Sequence, residues 1–257
     1  MGLFNFFSKK EQPPSAVSGK EDLLEKVEVI PGIILPRALA RHWNEIEKTK
    51  LPFISISASP SEDLTIHKSS FGYYPCLPKG YAYPTDKDGH AMFPLAQINC
   101  SDLPVMQGYP QFGYLQFYIS PNDTYGIDFD NLQSQTSFRV LYFEENEIAE
   151  YKVDFPDDIL GSEFVPIVKP HKLEFKLKEE YFGVGDVRAE EGPFYLPDIA
   201  GKYPYIAEEL EEYVWDTFAT NGHKMGGYAY FTQSDPRTDA TKDYVLLLQI
   251  DSGEHIT

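Results

Sequence analysis

The stretch Phe93-Pro94-Leu95-Ala96-Gln97-Ile98-Asn99 has an echo near the other end of the chain, Val245-Leu246-Leu247-Leu248-Gln249-Ile250-Asp251. Each is an apolar run of strand length carrying one glutamine, then Ile, then Asn or Asp. Runs of this length and character read as buried strands. Strand alternation puts Leu95, Gln97 and Asn99 on one face, and Leu247, Gln249 and Asp251 on its counterpart. A buried glutamine amide has two donors and an acceptor to satisfy, and a buried polar group left unpaired costs roughly 1–3 kcal/mol. Three readings follow. The glutamines tie sheet to backbone in a neighbouring glycine loop, where the missing side chain allows close approach. Or they face a ligand in a cleft between two related halves. Or they lie on a solvated face.

The case for related halves comes from the glycine loops. Phe71-Gly72-Tyr73-Tyr74-Pro75 precedes the first glutamine run, and Met225-Gly226-Gly227-Tyr228-Ala229 precedes the second, each with a turn cluster between. The sequence therefore predicts an internal duplication, with pseudo-repeats at about 51–143 and 206–257. The first glutamine strand is followed by Gly113–Ile119, whereas Thr257 comes before any such strand in the second half, so the second repeat is expected to be truncated.

Working outward, Phe53-Ile54-Ser55-Ile56-Ser57 alternates with period two, as do Tyr114–Ile119 and Ser137–Phe143, and Lys172–Leu177 is strand-like. Asp86-Lys87-Asp88-Gly89 is a turn signal that superficially resembles the start of a calcium loop but lacks the remaining ligands. Helical spacing appears at Glu21–Val29, after Pro36 and over Ile206–Phe218. The last of these puts Ile206, Leu210, Tyr213 and Val214 on one face and Glu208, Glu209, Glu211 and Glu212 on the other, either a solvated face or a docking face. Residues 1–20 read as a mobile segment, and residues 21–257 as a single domain. The predicted class is α+β and β-rich, with mostly antiparallel sheets, short N-terminal helices and one helix near 206–218.

The net charge of −18 argues against nucleic acid and against an anionic membrane surface, since both demand clustered Lys and Arg. It suits a basic protein partner, or simple solubility. The two cysteines, Cys76 and Cys100, have neither metal-motif nor secreted-scaffold spacing, which favours a reducing, cytoplasmic setting. No apolar run approaches the ~18 residues of a membrane-spanning helix. Met1–Lys10 carries its charges after its apolar part, unlike a signal peptide, and position 6 is Phe rather than the Ser or Thr of a myristoylation motif.

At its motifs the sequence resembles the YwqG-like family of bacterial proteins, the domain of unknown function 1963. The resemblance rests on Phe71-Gly72 with Pro75 and Leu77-Pro78, on Tyr83-Pro84, on Leu95–Asn99, on Pro110 through Ile119 and on Arg139-Val140 with Tyr142-Phe143. It continues through Gly222-His223-Lys224-Met225-Gly226-Gly227-Tyr228, Thr232-Gln233 with Asp235-Pro236-Arg237, and Leu246–Asp251. It covers roughly residues 50 to 257. In the family the first loop reads Phe-Gly-Gly, and here Tyr73 replaces the second glycine. Relatives continue past the Asp251 region into a Trp-Gly-Asp turn and a final strand. The resemblance implies a β-rich fold and brings no established activity, cofactor or catalytic residue. Some relatives look associated with bacterial toxin–immunity gene neighbourhoods, and to that extent the resemblance implies protein binding.

No G-x-S-x-G elbow, P-loop or H-E-x-x-H occurs, and Gly183-Val184-Gly185-Asp186-Val187-Arg188 lacks the third glycine of a dinucleotide fingerprint. No cofactor, metal site or catalytic residue is expected. The first expectation is a non-catalytic, protein-binding module of immunity-like or regulatory type. The alternative is an enzyme or a small-ligand or anion-binding protein whose cleft lies between the pseudo-repeats, at Gln97, Gln249, His223, Gly226, Gly227, Asp235 and Arg237. In that set Asp235-Pro236-Arg237 reads either as a turn closed by a local ion pair or as part of an anion site.

Overall fold

The helix that the spacing of Glu21–Val29 suggests forms over Glu21–Leu24, and from Lys26 the chain is a strand instead. In the computed structural model, which describes residues 14–148, 151–152, 156, 159, 164–189, 195, 198 and 201–252, α1 spans Pro14–Leu24. The chain then enters an antiparallel hairpin of β1 (Lys26–Ile30) and β2 (Ile33–Pro36). The β-branched Val27, Val29 and Ile30 favour extended backbone. Gly32, at φ +88°, turns the corner, and its N–H donates to Glu28 Oε1 at 2.9 Å. Pro36 then precedes two single-turn helices, α2 (Arg37–Ala40) and α3 (Trp43–Ile46). The helix expected at Ile206–Phe218 is α4 (Ala207–Phe218). It buries Leu210, Val214 and Phe218 against Leu35, Leu39, Ile46 and Phe182, and the Phe182 and Phe218 rings stack at 4.5 Å. Its glutamates occupy the first two turns, where the helix dipole favours them, and Glu209 pairs with Lys20 at 2.6 Å. These elements belong to one compact unit, Met1–Leu51 with Glu180–Thr220 and Tyr228–Tyr244.

A second unit, Pro52–Glu179 with Asn221–Gly227 and Val245–Thr257, holds a seven-stranded sheet. Its strands are β3 (Leu51–Pro60), β4 (Ser70–Phe71), β6 (Phe93–Asn99), β7 (Tyr114–Ile119), β8 (Phe138–Phe143), β10 (His171–Glu180) and β11 (Lys224–Gly226). A separate two-stranded ladder of β5 (Leu77–Pro78) and β9 (Tyr151–Lys152) packs its Leu77 against Tyr114 and Phe143 of the sheet. The sheet order is β11-β3-β10-β4-β6-β7-β8, and the fold is antiparallel and β-rich, as the sequence predicts. Both faces of β6 are covered. Phe93, Ala96 and Ile98 enter a core with Ile54, Phe71, Leu115 and Met225, while Gln97 lies on the opposite face beside Gln116 and Tyr118. The register slips between Pro94 and Ala96, where Pro94 has no N–H to give the ladder.

The two glutamine stretches part company here. Phe93–Asn99 is a central strand; Val245–Asp251 forms no strand and meets β11 at a bridge of Lys224 with Gln249 and a hydrogen bond from the Gly226 N–H to the Leu246 carbonyl. Its neighbour β11 is only three residues long, and all three pair with β3 on its other side. Locally the contacts match. Gln97 Nε2 donates to the Lys68 carbonyl at 3.3 Å, and Gln249 Nε2 to the Gly222 carbonyl at 3.0 Å. The Asn99 N–H meets Ser69 Oγ at 2.9 Å, and the Asp251 N–H meets His223 Nδ1 at 3.0 Å. Gly72 and Gly226 each hold a positive φ and each donate an N–H to the glutamine stretch. A Cβ on either would lie 2.8 Å from a neighbouring side chain, Ile167 or Met106. The likeness ends with these contacts, and a duplication of the whole fold is not shown.

Gln97 satisfies its amide completely. Its Oε1 accepts from the Cys76 N–H at 2.8 Å and from Gln116 Nε2 at 2.9 Å; its Nε2 reaches the Ile66 carbonyl at 2.7 Å as well as that of Lys68. Gln116 Nε2 also reaches the Cys76 carbonyl at 2.7 Å, and the Tyr118 hydroxyl closes the set on Gln116 Oε1 at 2.7 Å. Replacing Gln97 by Leu strands several of these groups at about 1–3 kcal/mol each. Urea unfolding should therefore show a larger loss of stability for Gln97→Leu than for Gln249→Leu, whose side chain is only half-buried; equal losses would contradict this reading.

Candidate functional site

Of the seven sequence-predicted site residues, Gln97, Gln249, His223, Gly226 and Gly227 belong to the sheet unit, and Asp235 and Arg237 to the helical unit. Gln97 is buried in its amide network and faces the 66–68 and Cys76 backbone. Gly226 sits against Met106 and Tyr109, and the Tyr109 hydroxyl donates to the Leu246 carbonyl. Gln249 and His223 meet at one place. Between them they hold the carbonyl of Gly222 and the N–H of Asp251, and the Asp251 carboxylate accepts from the Gly222 N–H at 2.7 Å. The imidazole accepts at Nδ1, which assigns the proton to Nε2 in the neutral ring. Its ring packs edge-on to Phe71 at 5.5 Å.

Beside this junction is an open cleft of about 630 Å³, bordered by Ser57, Ser59, Asn221, His223 and Asp251. Strand pairing builds it: the Ile56 N–H donates to the His223 carbonyl at 2.9 Å, which aligns the outer end of β3 with residues 221–223. Hydroxyls, an amide, an imidazole and a carboxylate in one recess can hydrogen-bond a polar ligand. Ser57, Ser59 and Asp251 were not singled out in the sequence as site residues. The alternation that makes Phe53–Ser57 a strand could have flagged the serines, but not what lies across from them.

Asp235 and Arg237 do form a turn with an ion pair, and Asp186 and Arg188 complete it. Arg237 Nη2 contacts Asp235 Oδ2 at 2.6 Å and Asp186 Oδ1 at 2.8 Å; Arg188 Nη2 reaches Asp186 Oδ2 at 2.7 Å. The N–H groups of Val187 and Ala229 donate to the same two carboxylates, and Arg188 lies over the Tyr228 ring at 4.4 Å. Two arginines thus answer two carboxylates, which leaves this cluster without the excess positive charge an anion site needs. Burial alone would raise the Asp186 carboxyl, but the Arg188 and Ala229 hydrogen bonds win and hold it down at about 2. Asp235 is lowered too, burial again opposed by Arg237 and by backbone N–H groups.

Among the described residues one triad has metal-ligand chemistry, Asp86, Asp88 and His90. Asp86 Oδ1 accepts from the Asp88 and His90 N–H groups at 2.9 Å each, and Lys87 holds Asp88 at 2.7 Å. Gly89 stands at φ +85°, so the segment is the turn the sequence suggests. Both cysteines are buried, and burial pushes each thiol up to about 11, which keeps them protonated and poorly nucleophilic.

A family model described as a domain of unknown function, DUF1963, matches residues 69–257. The chain belongs to this family. The match takes in the cleft residues 221–223 and Asp251 but not 56–59, the whole amide network but for its contacts with residues 66 and 68, and the Asp186–Arg237 cluster. No curated protein matches this DUF1963 chain. Among the described residues no helix is long and apolar enough to cross a membrane.

Asp186 supplies a pH test. Its folded carboxyl titrates below the ordinary unfolded value near 4, so its stabilising contribution is complete above about pH 4 and is lost as pH falls towards 2. Removing one member of a buried charge cluster costs about 3–5 kcal/mol. The stability gap between wild type and Asp186→Asn should therefore be wide at pH 6 and narrow at pH 2.5 by denaturant titration; a gap independent of pH would rule out this role.

Proposed function

We propose that this protein is a non-catalytic binding module that takes a protein partner carrying exposed Lys or Arg side chains. The observation behind this reading is an aromatic and acidic recess at the end of β8. Phe112 is 66% exposed and Tyr142 48%, costly positions for large rings. The Tyr142 hydroxyl donates to the Phe112 carbonyl at 3.1 Å, which fixes the two residues together. Gly113 between them stands at φ +81°, and a Cβ there would fall 2.4 Å from the Phe143 carbonyl oxygen. Glu144, Glu145 and Asn146 form the other wall of an open recess of about 580 Å³. A cation held over an aromatic face is worth about 0.5–2 kcal/mol, and neighbouring carboxylates add to it. The chain's net charge of −18 would speed encounter with a basic partner. The raised thiols of Cys76 and Cys100 agree with a module that does no cysteine chemistry.

The test is peptide selection by display. Wild-type protein should enrich peptides rich in Arg or Lys, and Phe112→Ala/Tyr142→Ala should lose that enrichment with its fold unchanged by circular dichroism. Equal enrichment by both proteins would refute the assignment.

A second reading, a small polar ligand, draws on the His223–Asp251 cleft and its serine hydroxyls. Under it, a screen of sugars and polyols by thermal shift should yield stabilisers whose effect disappears in Ser57→Ala/Ser59→Ala; no stabiliser, or one indifferent to the serines, would dismiss this reading.

A further inference from the structure

The seven-stranded sheet ends on β8, and among the described residues no strand pairs with the outer edge of β8. The opposite end is covered, because Lys224 of β11 exchanges both backbone hydrogen bonds with Gln249, and the Gly226 N–H reaches the Leu246 carbonyl. We infer that the partner binds as an added strand: an extended segment bearing Lys or Arg pairs with the outer edge of β8, and the Phe112–Tyr142 recess receives one of its cationic side chains. This rests on the basic-partner reading above and adds the form in which that partner comes.

The register shows which backbone groups are on offer. The Cys100 N–H donates to the Gly113 carbonyl at 2.9 Å, so Gly113, Leu115 and Phe117 turn their N–H and C=O groups to β6. Tyr114, Gln116 and Tyr118 then turn theirs to β8, where their partners are Phe143, Leu141 and Arg139. The Ser120 N–H meets the Ser137 carbonyl at 2.8 Å and continues that series. Phe138, Val140 and Tyr142 therefore point their backbone groups away from the sheet. The Val140 N–H agrees: it donates to Gln135 Oε1 at 2.9 Å rather than to β7.

Open edges are usually blunted by a proline, a bulge or a lysine. β8 has none of these, and its six residues pair one to one with β7. Gln135 is exposed, and its amide oxygen sits where the carbonyl of a neighbouring strand would sit. The edge leads straight into the recess, since Tyr142 is its last outward residue and Glu144 and Glu145 line the same recess. Those carboxylates complement Lys or Arg. Arg139 does not confront an incoming cation there, because strand alternation places it on the face opposite Tyr142. In strand addition the main chain supplies affinity and side-chain pockets supply specificity, and here the pocket is aromatic and acidic.

The probe is acetyl-(Arg-Thr)4-amide, titrated into the full-length protein and followed by amide NMR. Saturable shifts are expected at Val140 and Tyr142, and hydrogen exchange of the Tyr142 N–H should slow at least tenfold at saturation. Two analogues, N-methylated on the Arg nitrogens or on the Thr nitrogens, keep every side chain and each lose the N–H groups of one edge. At least one of them should bind at least tenfold more weakly than the parent. If both analogues bind like the parent, or if Tyr142 exchange is unchanged in the complex, strand addition is overturned while the basic-partner reading stands. Neutral acetyl-(Gln-Thr)4-amide separates the two in the other direction. If it binds as tightly as the Arg peptide and protects Tyr142 equally, strand addition is upheld and the preference for Lys and Arg falls. The absence of saturable shifts with both parent peptides overturns the inference.

Discussion

The sheet unit depends on a buried amide. Because β6 is covered on both faces, the one polar side chain in its middle must find all its hydrogen bonds inside the protein, and Gln97 finds four. Its oxygen and nitrogen join β7 through Gln116, the 66–68 segment, and the Cys76 backbone. Apolar packing of β6 would tolerate small slips of these segments, because dispersion has little direction. Hydrogen bonds in a low dielectric do not. The network thereby decides where the loop after β4 runs, and with it the burial of Cys76 and the contact of His67 with the Tyr114 hydroxyl at 3.3 Å.

The charge of the chain has an equally uneven distribution. In the helical unit Asp186 and Asp235 consume two arginines, and the outcome is a closed turn with no charge to spare. On the sheet unit Arg139 has no such answer. Arginines of the same chemistry therefore have different fates, and the difference lies in which carboxylates the fold brings within reach. The same contrast separates the two aromatic surfaces. Phe112 and Tyr142 are exposed beside carboxylates, whereas Phe182 and Phe218, no more apolar, stack inside the helical unit.

Much of this was legible in local pattern. Period-two alternation marks β3, β7 and β8, and the 3.6 period of Ile206, Leu210 and Val214 marks α4, because each pattern reflects burial on one side of a regular element. Helical spacing of Leu23, Leu24 and Val27 carries the expected helix past Leu24 into β1, because a short window cannot tell where a helix stops and a strand begins. The echo of the glutamine run was read as a strand because its composition matches that of β6. Strand composition cannot supply a partner, and β11 offers only three residues. Of the candidate site, His223 and Gln249 do meet. Asp235 and Arg237, which the sequence reads either as an ion-paired turn or as part of an anion site, lie in a turn with an ion pair, and Asp186, far off in sequence, completes it.

Sequence by itself determined the family, the β-rich class and the strands β3, β6, β7 and β8, for these depend on periodicity and on short motifs that local chemistry imposes. It also determined that Gln97 must be satisfied, because a buried amide cannot be left alone. Tertiary structure decided with what. The donors and acceptors around Gln97 come from residues 66, 68, 76 and 116, and the walls of each recess come from segments whose proximity no local rule encodes. Closure of those long loops is governed by the packing of the whole core, so partners, clefts and unpaired charges emerge only when it has formed.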